Sequence, residues 1–61
     1  MYEITWSEHQ KGKKPRYYKV RIKKIEEVKN ILETLIQPMP GILIKYKVFN
    51  PEGRLIDYGT I

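Results

Sequence analysis

Residues 16–36 read RYYKVRIKKIEEVKNILETLI, and the spacing of apolar side chains changes within this stretch. Up to Lys23, apolar and basic residues alternate, which is the period of a β-strand with one buried side. From Ile25 onward, apolar residues recur three and four positions apart, as on one face of a helix. The stretch therefore predicts a strand from Arg16 to Lys23, followed directly by an amphipathic helix. The apolar face of that helix consists of Ile25, Val28, Ile31, Leu32, Leu35 and Ile36.

The two ends of the predicted helix carry different signals. Glu26 and Glu27 fall in its first turn, where carboxylates suit the partial positive charge of a helix start. Pro38, Pro40 and Gly41 end the helix, because proline cannot continue a helix and pushes the residue before it toward extended angles. The helix is therefore expected to run for about three and a half turns.

The segment before this stretch predicts a first strand. Tyr2, Ile4 and Trp6 alternate with polar residues, and the polar run from Glu8 to Pro15 that follows contains glycine and proline as breakers. We expect a hairpin between the first two strands, with Glu8 to Pro15 as its loop.

The segment after the helix predicts a second hairpin. Its turn is Asn50-Pro51-Glu52-Gly53, where proline suits the second position and glycine the left-handed exit. A third strand, Ile42 to Phe49, precedes the turn, and a fourth, Arg54 to Ile61, follows it. The expected inward side chains are Ile42, Ile44, Tyr46 and Val48 on the third strand and Ile56 and Tyr58 on the fourth. The expected outward ones are Leu43, Lys45, Lys47 and Phe49 on the third and Leu55, Asp57, Gly59 and Ile61 on the fourth.

The element order is therefore ββαββ, and the fold class is α+β: a four-stranded, mostly antiparallel sheet with one helix packed on one face. A right-handed crossover makes strands two and three parallel. We expect the strand order 2-1-4-3, which resembles β-grasp domains by topological analogy and makes the two lysine-rich strands edges. Residues 1–61 are expected to form one small basic domain.

The charge and the residue composition of the chain limit the classes of function that it can have. The chain has 61 residues and a formal net charge of +5, and eight Lys and Arg residues lie between Lys11 and Lys24 without a carboxylate among them. There are no cysteines and no apolar run long enough to span a bilayer. The sequence predicts a cytoplasmic protein that does not enter membranes and whose partner is nucleic acid, DNA or RNA, or an acidic protein.

The leading hypothesis is a non-enzymatic nucleic-acid-binding domain. Alternate residues of a strand project from one side at roughly 6.5 to 7 Å spacing, which suits a run of phosphates, and Tyr17 beside the cations suits an unpaired base. The Glu3 and Asp57 carboxylates are expected between the two basic strands. The candidate nucleic-acid-binding residues are Lys13, Lys14, Arg16, Tyr17, Lys19, Arg21, Lys23, Lys45 and Lys47.

Two alternatives remain open at this stage. One is a homodimeric protein-binding inhibitor or adaptor, of the sort made by phages and mobile elements, because some apolar side chains are predicted to point outward. Its candidate interface residues are Leu43, Phe49, Leu55 and Ile61. The other is a ribonuclease toxin that needs no metal and uses basic residues and His9.

The sequence contains few side chains that could form a catalytic or metal site. Ser7 and His9 lie close in sequence, but they are expected at the flexible end of a loop, and a catalytic triad depends on fixed geometry. His9 is the only histidine, and the acids are scattered. We therefore expect no catalytic residues, no metal site and no cofactor.

Overall fold

The computed structural model describes residues 1–34 and 36–61 and contains the five predicted elements in the predicted order. The fold class is confirmed: four antiparallel strands form one open sheet, and a single helix accompanies it. Leu35, predicted on the apolar helix face, lies outside the described residues. The elements are β1 (Tyr2–Gln10), β2 (Arg16–Ile22), α1 (Glu26–Thr34), β3 (Ile42–Phe49) and β4 (Leu55–Thr60).

The strand order is β2-β1-β3-β4, so the predicted order 2-1-4-3 is wrong, and the analogy with β-grasp domains fails with it. β1 pairs antiparallel with both β2 and β3, which makes β2 and β3 run in the same direction, as predicted. The central β3 buries Ile44 and Val48 on the helix side, and its other side carries the half-buried Phe49 together with two exposed lysines. β2 and β4 are the edges.

The core lies between the helix and one side of the sheet, which we call the helix side. β1 contributes Ile4 and Trp6, and β3 contributes Ile44 and Val48, with Val28 from the helix packed against them. Burial of these apolar side chains is the main stabilising term in so small a domain. The buried core residues are Ile4, Trp6, Ile22, Val28, Ile36, Ile44 and Val48.

The helix is shorter than predicted. α1 has nine residues, about two and a half turns, and starts where the backbone N–H of Glu27 donates to the Lys24 carbonyl at 3.1 Å. Beyond its end, the N–H of Ile36 donates to the Ile31 carbonyl at 3.3 Å, which leaves Ile36 buried in the core. Among the described residues, no helix has the length and apolarity needed to cross a membrane.

β4 contains an irregularity that reverses part of its predicted orientation. Val48 pairs with Asp57 and Phe49 with Leu55, so Ile56 is an extra residue in β4 and forms a β-bulge. Asp57 therefore lies on the helix side, and Tyr58, predicted inward, lies on the opposite side. The bulge is the reason that the simple alternation of the sequence fails after Leu55.

An aromatic row crosses the helix side of the sheet. Trp6 pairs with Tyr18 on β2 and with Tyr46 on β3, and Tyr46 pairs with Gly59 on β4. The Trp6 and Tyr18 rings stack with their centroids 5.3 Å apart and their planes at 18°. Tyr46, expected inward, thus shares the helix side of the sheet with Trp6 and Tyr18.

Candidate functional site

The side of the sheet opposite the helix carries most of the predicted site residues, and we call it the open face. The pairing register arranges its side chains in rows that cross all four strands. The row order from β2 to β4 is Arg21, Glu3, Phe49, Leu55; then Lys19, Thr5, Lys47, Tyr58; then Tyr17, Ser7, Lys45, Thr60.

Two tyrosines on the open face are largely exposed to solvent. Tyr17 on β2 is 75% exposed and Tyr58 on β4 is 72% exposed, whereas Tyr18, stacked on Trp6 on the helix side, is 39% exposed. Rings that are this exposed contribute little to the core, and their flat faces are accessible to a ligand.

The lysines of β2 and β3 are closer together than the predicted order implied. Lys19 and Lys47 both pair with Thr5, one on each side of β1. Their backbones are thus two strand spacings apart, roughly 9.5 Å, instead of the roughly 14 Å that an order with both strands at the edges would give. Lys45 follows two residues from Lys47 on the same strand, so three lysines flank the small side chains of Thr5 and Ser7.

One carboxylate interrupts the positive charge of this face. Glu3 on β1 lies between β2 and β3, where its Oε2 is 3.5 Å from Nε of Arg21 and its Oε1 is 4.0 Å from Nζ of Lys19. All three side chains remain solvent-accessible, so each contact is weak. Asp57, predicted to share this position between the basic strands, lies on the helix side. Within the described strands the open face therefore presents four cations and one carboxylate.

A shallow depression of about 550 Å³ occupies the middle of the open face. Residues of β1, β2 and β3 line it, and they include Trp6 and Tyr18, whose side chains belong to the helix side. The open-face residues that line it are Thr5, Ser7, His9, Tyr17, Lys19, Lys45 and Lys47.

The other predicted cations lie away from this depression. Arg16 pairs with Glu8 and faces the helix side, and Lys13 and Lys14 are exposed in the turn at the end of the first hairpin. β2 ends at Ile22, so Lys23 lies beyond the strand that was expected to hold it. The structure thus brings together Tyr17, Lys19, Arg21, Lys45 and Lys47, and it separates Lys13, Lys14, Arg16 and Lys23 from them.

The apolar residues predicted for a protein interface do not form one patch. Leu43 and Leu55 are 44% and 43% exposed, and Leu55 pairs with Phe49 at one end of the open face. Leu43 pairs with His9 at the other end, six residues from Phe49 along β3, or roughly 20 Å. Ile61, predicted outward, packs against the core instead, because its backbone bonds to Ile44 and the bulge reverses the alternation of β4.

Ser7 and His9 occupy a strand, and the prediction that they lie at a flexible loop end is wrong. β1 extends to Gln10, and Ser7 Oγ lies 2.7 Å from His9 Nε2 on the open face. The nearest acid in sequence, Glu8, points to the helix side, where its Oε1 accepts a hydrogen bond of 3.3 Å from the Tyr18 hydroxyl. The pair therefore consists of a hydroxyl and an imidazole beside Lys45.

Sequence reasoning missed Tyr58 and Thr5 as open-face site residues. Tyr58 was assigned inward, and only the bulge at Ile56, which no glycine or proline signals, turns it outward. Strand alternation does place Thr5 on the outward side of β1. Its position between two lysines, however, depends on the pairing of β1 with β3. Both positions are set by the pairing of the strands, which the local sequence does not reveal.

In the part of the chain that the structure describes, no group of three or more His, Cys, Asp or Glu side chains converges to form a metal site.

Comparison of the chain with protein-family models, with curated proteins and with solved structures finds no match.

Proposed function

We propose that this chain is a non-enzymatic nucleic-acid-binding domain and that the open face of its sheet is the binding surface. The observation that carries the proposal is the placement of Lys19, Lys45 and Lys47 around one depression, with Tyr17 at its border and α1 on the opposite side of the sheet. Ammonium groups at this spacing suit backbone phosphates, and an exposed ring beside them suits a base.

The electrostatics of the whole chain support the same partner. A net charge of +5 on 61 residues makes a positive field that speeds the approach of a polyanion. On the open face the excess of cations over the Glu3 carboxylate directs that field to the surface with the exposed rings. Lys13 and Lys14, in the turn of the first hairpin, line a separate hollow with Glu8 and Arg16 and add to the overall charge only.

The rigidity of the surface also supports binding. Lys45 and Lys47 project from β3, a central strand bonded on both sides, and Lys19 projects from β2 beside β1. Residues on paired strands lose less freedom when they bind a ligand than residues on a mobile loop do, so less of the binding free energy is spent on ordering the protein.

The test is a titration of labelled oligonucleotides followed by fluorescence anisotropy at several salt concentrations. Four cations on the face predict a log-log slope of about −2.8 for a single strand, because counterion release contributes about −0.7 per phosphate contacted. Lys47→Glu should weaken binding at least about tenfold at low salt. Lys29→Glu is the matched control, because it makes the same charge change at an exposed residue of the helix, across the sheet from the open face, and should weaken binding far less.

Two outcomes would contradict the proposal. Affinity that does not change with salt would mean that phosphates are not the recognised groups. Equal losses from Lys47→Glu and Lys29→Glu would mean that only total charge matters and that the open face is not a site.

A further inference from the structure

We infer that the open face takes single-stranded nucleic acid in preference to a duplex, with Tyr17 and Tyr58 each stacking one unpaired base. The inference rests on the proposed function and adds the class of ligand and the way its bases are held. Its basis is the position of two exposed rings on opposite edge strands, with lysines between them.

The two exposed rings lie on opposite edges of the sheet. Tyr17 lies on β2 and Tyr58 on β4, three strand spacings apart, and they occupy neighbouring rows. This places their backbones roughly 16 Å apart. Side chains stand roughly perpendicular to a sheet, so the two rings project side by side and contact two different nucleotides of one strand that crosses the sheet.

Lysines and hydroxyl groups lie between the two rings. The row of Tyr58 contains Lys47, Thr5 and Lys19, and the row of Tyr17 contains Ser7 and Lys45. A strand that runs from one tyrosine to the other passes over three ammonium groups and two hydroxyls, which donate to phosphate and sugar oxygens. The depression of about 550 Å³ lies on this path next to Tyr17.

A duplex suits the open face less well than a single strand does. In a duplex the base faces are already stacked on one another, so exposed rings such as Tyr17 and Tyr58 have no face to contact. The sheet is also too broad for base readout, because its edge strands lie about 14 Å apart before side chains are added and the major groove is about 12 Å wide. A duplex would meet only the lysines.

The two exposed rings differ from other tyrosines of this chain, which pack against the protein. Tyr18 stacks on Trp6, and Tyr46 packs against the core over Gly59. Neither Tyr17 nor Tyr58 is among the described residues that form the core or pack against it. Two large apolar surfaces left in water beside lysines are typical of a stacking surface for nucleic acid.

The experiment compares four probes of equal length by fluorescence anisotropy: a single strand of RNA, a single strand of DNA, a DNA duplex, and a DNA strand with abasic sites that keeps every phosphate. The unmodified single strands should bind at least about tenfold more tightly than the duplex. The abasic strand should bind at least about fivefold more weakly than the unmodified DNA strand, since it loses the stacked bases.

Tyrosine variants assign the effect to the two rings. Tyr17→Ala and Tyr58→Ala should each weaken binding of the unmodified strand about fivefold or more, and neither should change binding of the abasic strand. Tyr17→Phe and Tyr58→Phe keep the ring and should bind within about twofold of the parent chain. Both positions are largely exposed, so all four variants should keep the fold, which circular dichroism checks.

The outcomes separate this inference from the proposed function. Equal affinity for abasic and unmodified strands, or tighter binding of the duplex, would overturn the stacking inference while leaving phosphate binding on the open face intact. If none of the four probes binds in a salt-dependent way, the proposed function fails, and the inference fails with it.

Discussion

The ring of Tyr46 on β3 covers Gly59 on β4 so closely that a Cβ atom at residue 59 would lie 2.8 Å from the Tyr46 hydroxyl oxygen and 2.9 Å from Cε1 and Cζ. No ordinary Cβ contact is that short, so the tyrosine rests on the bare backbone of the edge strand. The same pair continues the aromatic row of Trp6 and Tyr18, and it attaches β4, with Tyr58 on its other side, to the sheet.

Gly59→Ala should therefore destabilise the domain by about 1–3 kcal/mol, because the new methyl group displaces the Tyr46 ring. Urea unfolding measures the loss. Thr60→Ala, on the exposed side of the same strand, is the control and should stay within about 0.5 kcal/mol. With Tyr46→Ala already present, Gly59→Ala should cost much less. An equal cost in both backgrounds would show that the ring is not the cause.

The turn of the second hairpin depends on the side chain of Asn50. Its Oδ1 accepts hydrogen bonds from the backbone N–H of Arg54 at 2.8 Å and of Glu52 at 3.1 Å, and Gly53 has a φ of 81°. Asn50→Ala should lower the free energy of unfolding by about 1–2 kcal/mol, since two turn donors lose their acceptor. Glu52→Ala changes an exposed side chain in the same turn and should be nearly neutral. If the two variants unfold alike, the Asn50 bonds contribute nothing.

Glu3 should limit the affinity of the open face, because its carboxylate holds Arg21 and Lys19 and repels phosphate. Glu3→Gln should tighten binding of a single strand about two- to fivefold at low salt, which corresponds to the size of weak surface ion pairs. The gain should fade as salt is added. Glu33→Gln, an equal charge change on the helix, serves as control, and unchanged or weaker binding by Glu3→Gln would contradict the assignment.

The Ser7 and His9 pair provides a test of the non-enzymatic proposal. It has the hydroxyl and imidazole that proton transfer uses, and Lys45 stands beside it, but Glu8 points away. We expect a labelled RNA to remain intact after incubation with the chain in chelator. Cleavage that His9→Ala abolishes would favour the ribonuclease alternative over the binding domain.

The chain should be monomeric at micromolar concentration in sedimentation velocity, because Leu43 lies at the opposite end of the open face from Phe49 and Leu55. A small split surface of this kind buries less area than a stable dimer needs. A dimer that Leu55→Asp dissociates and that Lys47→Glu leaves intact would favour the protein-binding alternative.

The element order was predictable because local signals marked each change: the switch of period at Ile25, the prolines after the helix and the Asn50 to Gly53 turn. The strand order was not, because alternation reports which side chains share a face and not which strands are neighbours. Leu43 and Phe49 did carry a signal, since apolar residues on the outer side of β3 suit a central strand. The lysines at 45 and 47 outweighed it in the prediction of an edge.

The candidate site was predictable in its residue types but not in its layout. The cations and Tyr17 follow from strand alternation, and five of the nine predicted residues share the open face. Tyr58 could not be placed, because the bulge at Ile56 is fixed by how β4 meets β3 and leaves no mark on the local pattern.

The most direct measurement of the central claim is side-chain NMR of the labelled chain during titration with a short single strand. Signals of Tyr17, Thr5 and Tyr58 should shift together in proportion to occupancy, while signals of Val28 and Ile36 in the core under the helix stay in place. Shifts concentrated on the helix side, with the two tyrosines unchanged, would contradict the account.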